Sequence, residues 1–247
     1  MPHETYLFLP NDAARDGLLT VTGAAYHHLT RVRRVHIGEL LRAALPNGRV
    51  LRAEVTQITT DQLLALVLED TAATGLSPCA ITLYQAVLKG EKMEMVVQKA
   101  GELGARALVP VYTRRSIPRW TAEQGYERAT RWQRIADAAA AQCERPLPLW
   151  VDMPTPLATV LAAPRTTLSL LLHERDGQAL HDLAARVPTA HAVDLFLGPE
   201  GGWDDDETAA ILSAGAHPIH LGHRILRAET AALAALALTQ FLWGDLG

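Results

Sequence analysis

The stretch LFLGPEGGWDDDE, residues 195–207, decides how the chain is read. An apolar run of strand character opens it, three glycines follow, and an acidic cluster closes it. Asp204 fits a helix N-cap, and Glu207 three positions on closes a capping box; acids also suit the positive end of the helix dipole. A strand–glycine loop–helix unit of this kind usually cradles phosphate. This loop has no lysine, neither G-x-G-x-x-G nor G-x-x-x-x-G-K-[ST] spacing, and so no phosphate fingerprint. It must hold something else.

The surrounding chain places the loop in a layered fold. AITLYQAVLKG (80–90) reads as a strand and EKMEMVVQKAGELGA (91–105) as an amphipathic helix stopping near Gly104. Met93, Val96, Val97, Ala100 and Leu103 share one face of that helix. ALVPVY (107–112), LSLLLHE (168–174), AVDLFLGPE (192–200) and PIHLG (218–222) read as further buried strands, and residues 122–145 as one or two helices. Strands alternating with helices predict an α/β fold with a mainly parallel sheet. The last helix, ending AALAALALTQFLW (231–243), is apolar nearly all round, which suits the core or a partner subunit. It is too short to span a bilayer.

The first seventy residues have a different rhythm. PNG (46–48) separates two strand-like runs within 40–58, a hairpin signal, and QLLALVLED (62–70) reads as another strand. AYHHLTRVRRVH (25–36) is a short helix or an extended arm. TAATGLSPC (71–79) reads as a linker, so a small, mostly β module precedes the α/β domain. The cysteines, Cys79 and Cys143, form no C-x-x-C pair and imply neither a disulfide framework nor a zinc site. MPHETYLFLP lacks the basic and apolar regions of a secretory signal, and the chain reads as cytoplasmic.

Net charge is −4, yet it is unevenly spread. Residues 89–134 carry 10 Lys/Arg against 5 Asp/Glu, whereas residues 135–247 carry 6 against 14. Residues 31–52 hold six arginines and one acid. Affinity for a polyanion follows local potential, so the overall acidity does not exclude a nucleic acid. A solvated basic face is the alternative reading.

In open α/β sheets, ligands bind beyond the carboxyl ends of strands. Three loops qualify here: HERDG (173–177), GPEGGW (198–203) and LGHRILRAET (221–230). The last sets Arg224 and Arg227 three apart, with Glu229 at the head of the final helix. No serine stands in G-x-S-x-G, which argues against a nucleophile-elbow hydrolase. Ten histidines include no H-E-x-x-H or comparable ligand spacing, so no metal is expected.

LGPEGGWDDDE together with HLGHRILRAETAALAALAL resembles the paired C-terminal signature of the RsmE family within the SPOUT methyltransferases. LYQAVLKGEKMEMVVQKAGELGARALVPVYTRRS (83–116), RWQRIADAAAAQCER (131–145) and HHLTRVRRVHIGELL (27–41) extend the likeness over nearly the whole chain. The resemblance implies a PUA-like β-barrel over 1–72 that binds RNA. It implies a SPOUT methyltransferase domain with a C-terminal trefoil knot over 78–247. It also implies a homodimer that methylates N3 of a uridine near the decoding site of 16S ribosomal RNA in the small subunit. The implied cofactor, S-adenosyl-L-methionine, has no phosphate and needs no lysine in the loop. On this reading its site comprises Leu172, His173, Leu197, Gly198, Pro199, Glu200, Gly201, Gly202, Leu221, Gly222, Arg224, Ile225, Leu226 and Thr230. Arg227 is the expected stabiliser of charge on the deprotonated base, and Glu229 the proton acceptor or the residue that orients Arg227. Glu229 as a plain helix N-terminal acid is the alternative. Arg31, Arg33, Arg34, Lys89, Lys92, Arg114 and Arg115 are the expected contacts for the RNA backbone.

Departures from the family pattern are TYLF (5–8), TRRS (113–116) in place of T-E-R-S, QCER (142–145), and His223 in place of a frequent proline. None touches the glycine loop. A SPOUT ribose 2′-O-methyltransferase and a non-catalytic RNA-binding assembly factor are the competing readings.

Overall fold

The computed structural model describes residues 4–174 and 176–247. The chain forms two compact units, one of residues 1–76 and 140–147, the other of residues 77–139 and 148–247. The short segment 140–147, which the linear sequence assigns to the α/β part, thus groups with the first unit.

In the first unit β1 (Thr5–Phe8), β2 (Ala14–Arg15), β3 (Leu18–Thr22), β4 (Leu40–Ala44), β5 (Arg49–Ile58) and β6 (Gln62–Ala72) make one sheet in the order β1-β4-β5-β6-β3-β2. Only β1 and β4 run parallel; the β4–β5 pair is the hairpin marked by PNG. Gly48 there has φ +81°, the conformation such a turn demands of its glycine. Helix α1 (Gly23–His27) runs on into a π-helical turn over His28–Arg33, so the arginine-bearing segment is helical. Leu19, Leu29, Leu41, Leu51 and Leu63 are fully buried and form the core of this unit.

The second unit is an eight-stranded sheet with helices on both faces. Its elements, in chain order, are β7 (Ala80–Ala86), α2 (Lys92–Glu102), β8 (Ala107–Tyr112), α3 (Ala122–Gln142), β9 (Trp150–Val151), β10 (Thr155–Pro156) and α4 (Leu157–Ala162). There follow β11 (Leu168–Leu172), β12 (Gln178–Ala179), α5 (Leu180–Arg186), β13 (Ala192–Leu197), α6 (Asp205–Ser213), β14 (His217–His220) and α7 (Ala228–Trp243). Strand order is β10-β8-β7-β13-β11-β14-β12, with β9 beside β8, and every pair is parallel.

Period-two alternation divides the buried strands between two cores. Ile81, Leu83, Val193, Leu195, Leu197 and Leu170 face α2, α3, α5 and α7. Phe196 and Leu171 face the other way, toward α4 and α6. On that second face Tyr84 stacks on Phe196, and Arg165 lies over both rings with its guanidinium 2.8 Å from Asp194. The apolar character of α7 is explained in part by burial of Ala232, Ala235, Leu236 and Trp243. Leu238 and Phe241 remain exposed. Among the described residues no helix is long and apolar enough to cross a membrane.

Candidate active site

Strands β13, β11 and β14 are neighbours in the sheet, so the loops at their carboxyl ends converge. They wall a cleft of about 550 Å³. From the first loop come Leu172, His173 and Glu174; from the second, Gly198 to Trp203; from the third, Leu221, Gly222 and Arg224 to Arg227. Arg175 lies outside the described residues.

The glycine loop is shaped by its surroundings as much as by its own sequence. Gly202 has φ +70° and closes a tight turn by donating its N–H to the Pro199 carbonyl at 2.9 Å. At Gly198 a side chain would sit 3.1 Å from the Trp203 indole nitrogen. The amide of the fully buried Gln85 donates to the carbonyls of Ala86 at 3.0 Å and Gly198 at 3.4 Å. Arg115 donates to the Gly201 carbonyl at 3.0 Å.

Glu200 is the ionised end of the loop. Partial burial works against its charge, but backbone N–H groups, its own and that of Lys89 (3.1 Å), together with the Lys92 ammonium, outweigh it. Its carboxyl is therefore held below the ordinary carboxylate range. Lys92 Nζ lies 3.1 Å from Glu200 Oε1 and 3.7 Å from Glu229 Oε2. Glu229 sits in the first turn of α7, only 9% exposed, and its Oε2 has no hydrogen-bond partner among the described residues. Arg227 is the residue before α7, exposed at the cleft, with its carbonyl accepting the Ala231 N–H at 2.8 Å.

Most of the residues expected at the cofactor site meet in this one cleft. Leu197 lies beneath it, buried at the end of β13, and Thr230 is exposed in the first turn of α7; neither lines it. Glu174, Trp203 and Ala228, which lie in the three expected loops but not among the expected cofactor residues, also line it, as do Asp205 and Ala231 from beyond those loops. Membership of the HERDG and GPEGGW loops is the sequence signal for Glu174 and Trp203.

The expected RNA contacts divide. Arg31, Arg33 and Arg34 are exposed on the first unit, and Lys89 is exposed after β7. Lys92 and Arg115 instead line the cleft. The Arg114 guanidinium is held by Asp204 and Asp206, each at 2.5 Å. The capping box is also revised. Asp204 does cap α6, accepting the Asp206 N–H at 3.2 Å, but Glu207 accepts the Arg114 backbone N–H at 2.8 Å instead of reaching back to Asp204. The acidic cluster therefore both caps α6 and holds the loop after β8. No group of His, Cys, Asp or Glu among the described residues could hold a metal ion.

Comparison with known proteins agrees with this architecture. A family model described as an RNA methyltransferase domain matches residues 76–240, and one described as an RNA methyltransferase PUA domain matches residues 21–68. The ribosomal RNA small subunit methyltransferase E of Synechocystis is 33% identical, over 90% of this chain and 72% of its own length. That of Mycobacterium bovis is 32% identical, over 92% of this chain and 87% of its own. A Neisseria gonorrhoeae ribosomal RNA small subunit methyltransferase E, solved bound to S-adenosyl methionine, superposes with a TM-score of 0.90 at 31% identity, covering 99% of this chain and 100% of that one. A Legionella pneumophila protein solved in complex with the cofactor SAM gives 0.90 at 30% identity, with the same coverage. With a SPOUT-like methyltransferase domain following a PUA-like region, this chain belongs to the ribosomal RNA small subunit methyltransferase E family.

Proposed function

We propose that this protein uses S-adenosylmethionine to methylate N3 of a uridine near the decoding site of 16S ribosomal RNA, acting in the cytoplasm as a homodimer. The observation that carries the reading is the convergence of the glycine loop and the arginine loop at one cleft, with the nearly buried carboxylate of Glu229 set behind its lining residue Lys92.

The cleft suits the cofactor. Its volume falls in the range for small-ligand sites, and its wall combines exposed loop backbone with apolar Leu172, Pro199, Leu221, Ile225 and Leu226. Gly198 to Gly202, with Leu221 to Leu226, would hold the adenosine and methionine parts. When bound, the cofactor supplies a methyl group made electrophilic by its sulfonium.

Uracil N3 carries a proton and is a poor nucleophile until that proton leaves. Glu229, set behind the cleft lining, is the acceptor through water: the proton passes from N3 to a water molecule, which gives a proton to the carboxylate. The charge left on the base spreads to its two carbonyl oxygens, and Arg227 offers the guanidinium that stabilises it. Arg31, Arg33, Arg34 and Lys89 meet backbone phosphates and position the RNA without reading its sequence. The target base leaves its stack to reach the cleft.

The dimer reading rests on α7. Ala231, Ala234, Leu238 and Phe241 follow helical spacing, Leu238 and Phe241 are 43% and 61% exposed, and Ala231 lines the cleft. A partner covering this stripe would sit beside the active site, and sedimentation of the purified protein at twice the chain mass is the expected result.

Mass mapping of 16S RNA from cells with and without the protein tests the activity. A methyl group on uracil N3 that depends on the protein is expected. A methyl group on ribose, or an unmethylated RNA that the protein nonetheless binds, would overturn the reading.

A further inference from the structure

We propose that Lys92 is a positioning residue for methyl transfer, which clamps the carboxylates of Glu200 and Glu229 to one ammonium, and that it does not bind RNA phosphate. The inference rests on the methyl-transfer reading above.

Three separate parts of the chain meet at this ammonium: the start of α2, the glycine loop after β13, and the first turn of α7. Glu200 Oε1 lies 3.1 Å from Nζ and Glu229 Oε2 lies 3.7 Å away. A phosphate approaching Lys92 would meet two carboxylates around one cation, which is a poor anion site. The position of the lysine points the same way. Lys92 is the first residue of α2, where the helix dipole disfavours a positive charge. Two acids facing it offset that cost and give the lysine a reason to be there.

The two carboxylates do not depend on Lys92 equally. Glu200 keeps the Lys89 backbone N–H at 3.1 Å if the ammonium is removed. Glu229 Oε2 has no hydrogen bond among the described residues, so Lys92 is the cation that compensates its charge. A nearly buried carboxylate without a counter-cation either swings toward water or takes up a proton. Either change disables a proton acceptor while leaving the cofactor loop in place. The loss therefore falls on turnover and spares binding.

The test compares full-length wild type with Lys92→Met and Lys92→Arg, each checked by thermal melting. Lys92→Gln, which keeps a polar group, carries the test if the methionine variant unfolds. Turnover on 16S RNA, the Kd for S-adenosylhomocysteine by calorimetry, and the KM for RNA at two salt concentrations are measured. For Lys92→Met we expect kcat to fall on the order of 10²-fold, the usual cost of misplacing a reacting group. The Kd for S-adenosylhomocysteine and the KM for RNA stay near wild type, the signature of an interaction used only in the transition state. Lys92→Arg restores much of the turnover, because a guanidinium can also bridge two carboxylates.

A raised KM for RNA with a weaker salt dependence and intact kcat would overturn the clamp in favour of a phosphate contact. Loss of S-adenosylhomocysteine affinity in step with kcat would overturn it in favour of a cofactor contact, and full activity of Lys92→Met would leave the residue no role. Wild-type protein unable to bind S-adenosylhomocysteine would instead remove the methyl-transfer reading, and the clamp with it.

Discussion

Replacing Gly198 by alanine tests whether the glycine loop is a fitted wall or a permissive linker. A Cβ at this position would lie 3.1 Å from Nε1, 3.3 Å from Cδ1 and 3.5 Å from Cε2 of Trp203. The first two distances are a few tenths of an ångström too short for ordinary contact, so either the indole or the loop must move. The indole has little room, because Trp203 is 7% exposed and packs with Phe196, Ile211 and Leu171. Overpacking of this sort costs about 1–3 kcal/mol. If about half of that is borne by a displaced loop, cofactor affinity falls by up to about tenfold, since 1.4 kcal/mol is a factor of ten. Gly201→Ala is the control in the same loop. Its Cβ would meet only the Arg115 side chain at 3.5 Å, an ordinary contact. Urea denaturation and calorimetry with S-adenosylmethionine read the two variants side by side. The reasoning fails if Gly198→Ala matches Gly201→Ala in both urea midpoint and Kd.

Other perturbations separate the roles within the cleft. Arg227→Ala lowers kcat far more than cofactor affinity; equal losses measured by kinetics and calorimetry would make it a cofactor residue. Glu200, whose carboxyl is held low, contributes stability that is present above ordinary carboxylate values and is lost as pH falls through its depressed folded value. Glu200→Gln removes that contribution, so its stability deficit, followed by urea midpoints, is largest near neutrality and shrinks in acid. Cys79 is buried and its thiol is pushed up to about 11 by desolvation, whereas Cys143 is exposed. A thiol reagent at pH 8 should therefore label one cysteine in the native protein and two in denaturant; two in the native state would contradict the burial of Cys79.

The sequence shows the parts of this site better than their meeting. The apolar runs around Leu170 and Leu195, the PNG hairpin and the GPEGGW loop are local signals, and each element appears where its residues predict it. Lys92 is the opposite case. Its placement depends on β13 lying beside β7 and on α7 crossing nearby, which a linear pattern does not encode, so a basic residue in a basic segment reads as an RNA contact. The pairing of Arg114 with Asp204 and Asp206 was hidden for the same reason, and with it the true partner of Glu207. Local capping rules gave Asp204 correctly and misassigned Glu207, whose partner lies 93 residues away. Segment 140–147 shows the limit at a larger scale, since it continues the α3 sequence yet groups with the first unit.

The grip on the glycine loop has a kinetic consequence. Its shape depends on Lys89 and Arg115, which reach it across sequence separations of 111 and 86 residues. Contacts that close such long stretches of chain form late, after local helices and turns have already gained their structure. The glycine-loop wall of the cleft is thus among the last features to consolidate during refolding. Recovery of cofactor binding should trail recovery of the far-ultraviolet helix signal, and the chain should pass through a compact, helical and still ligand-blind stage.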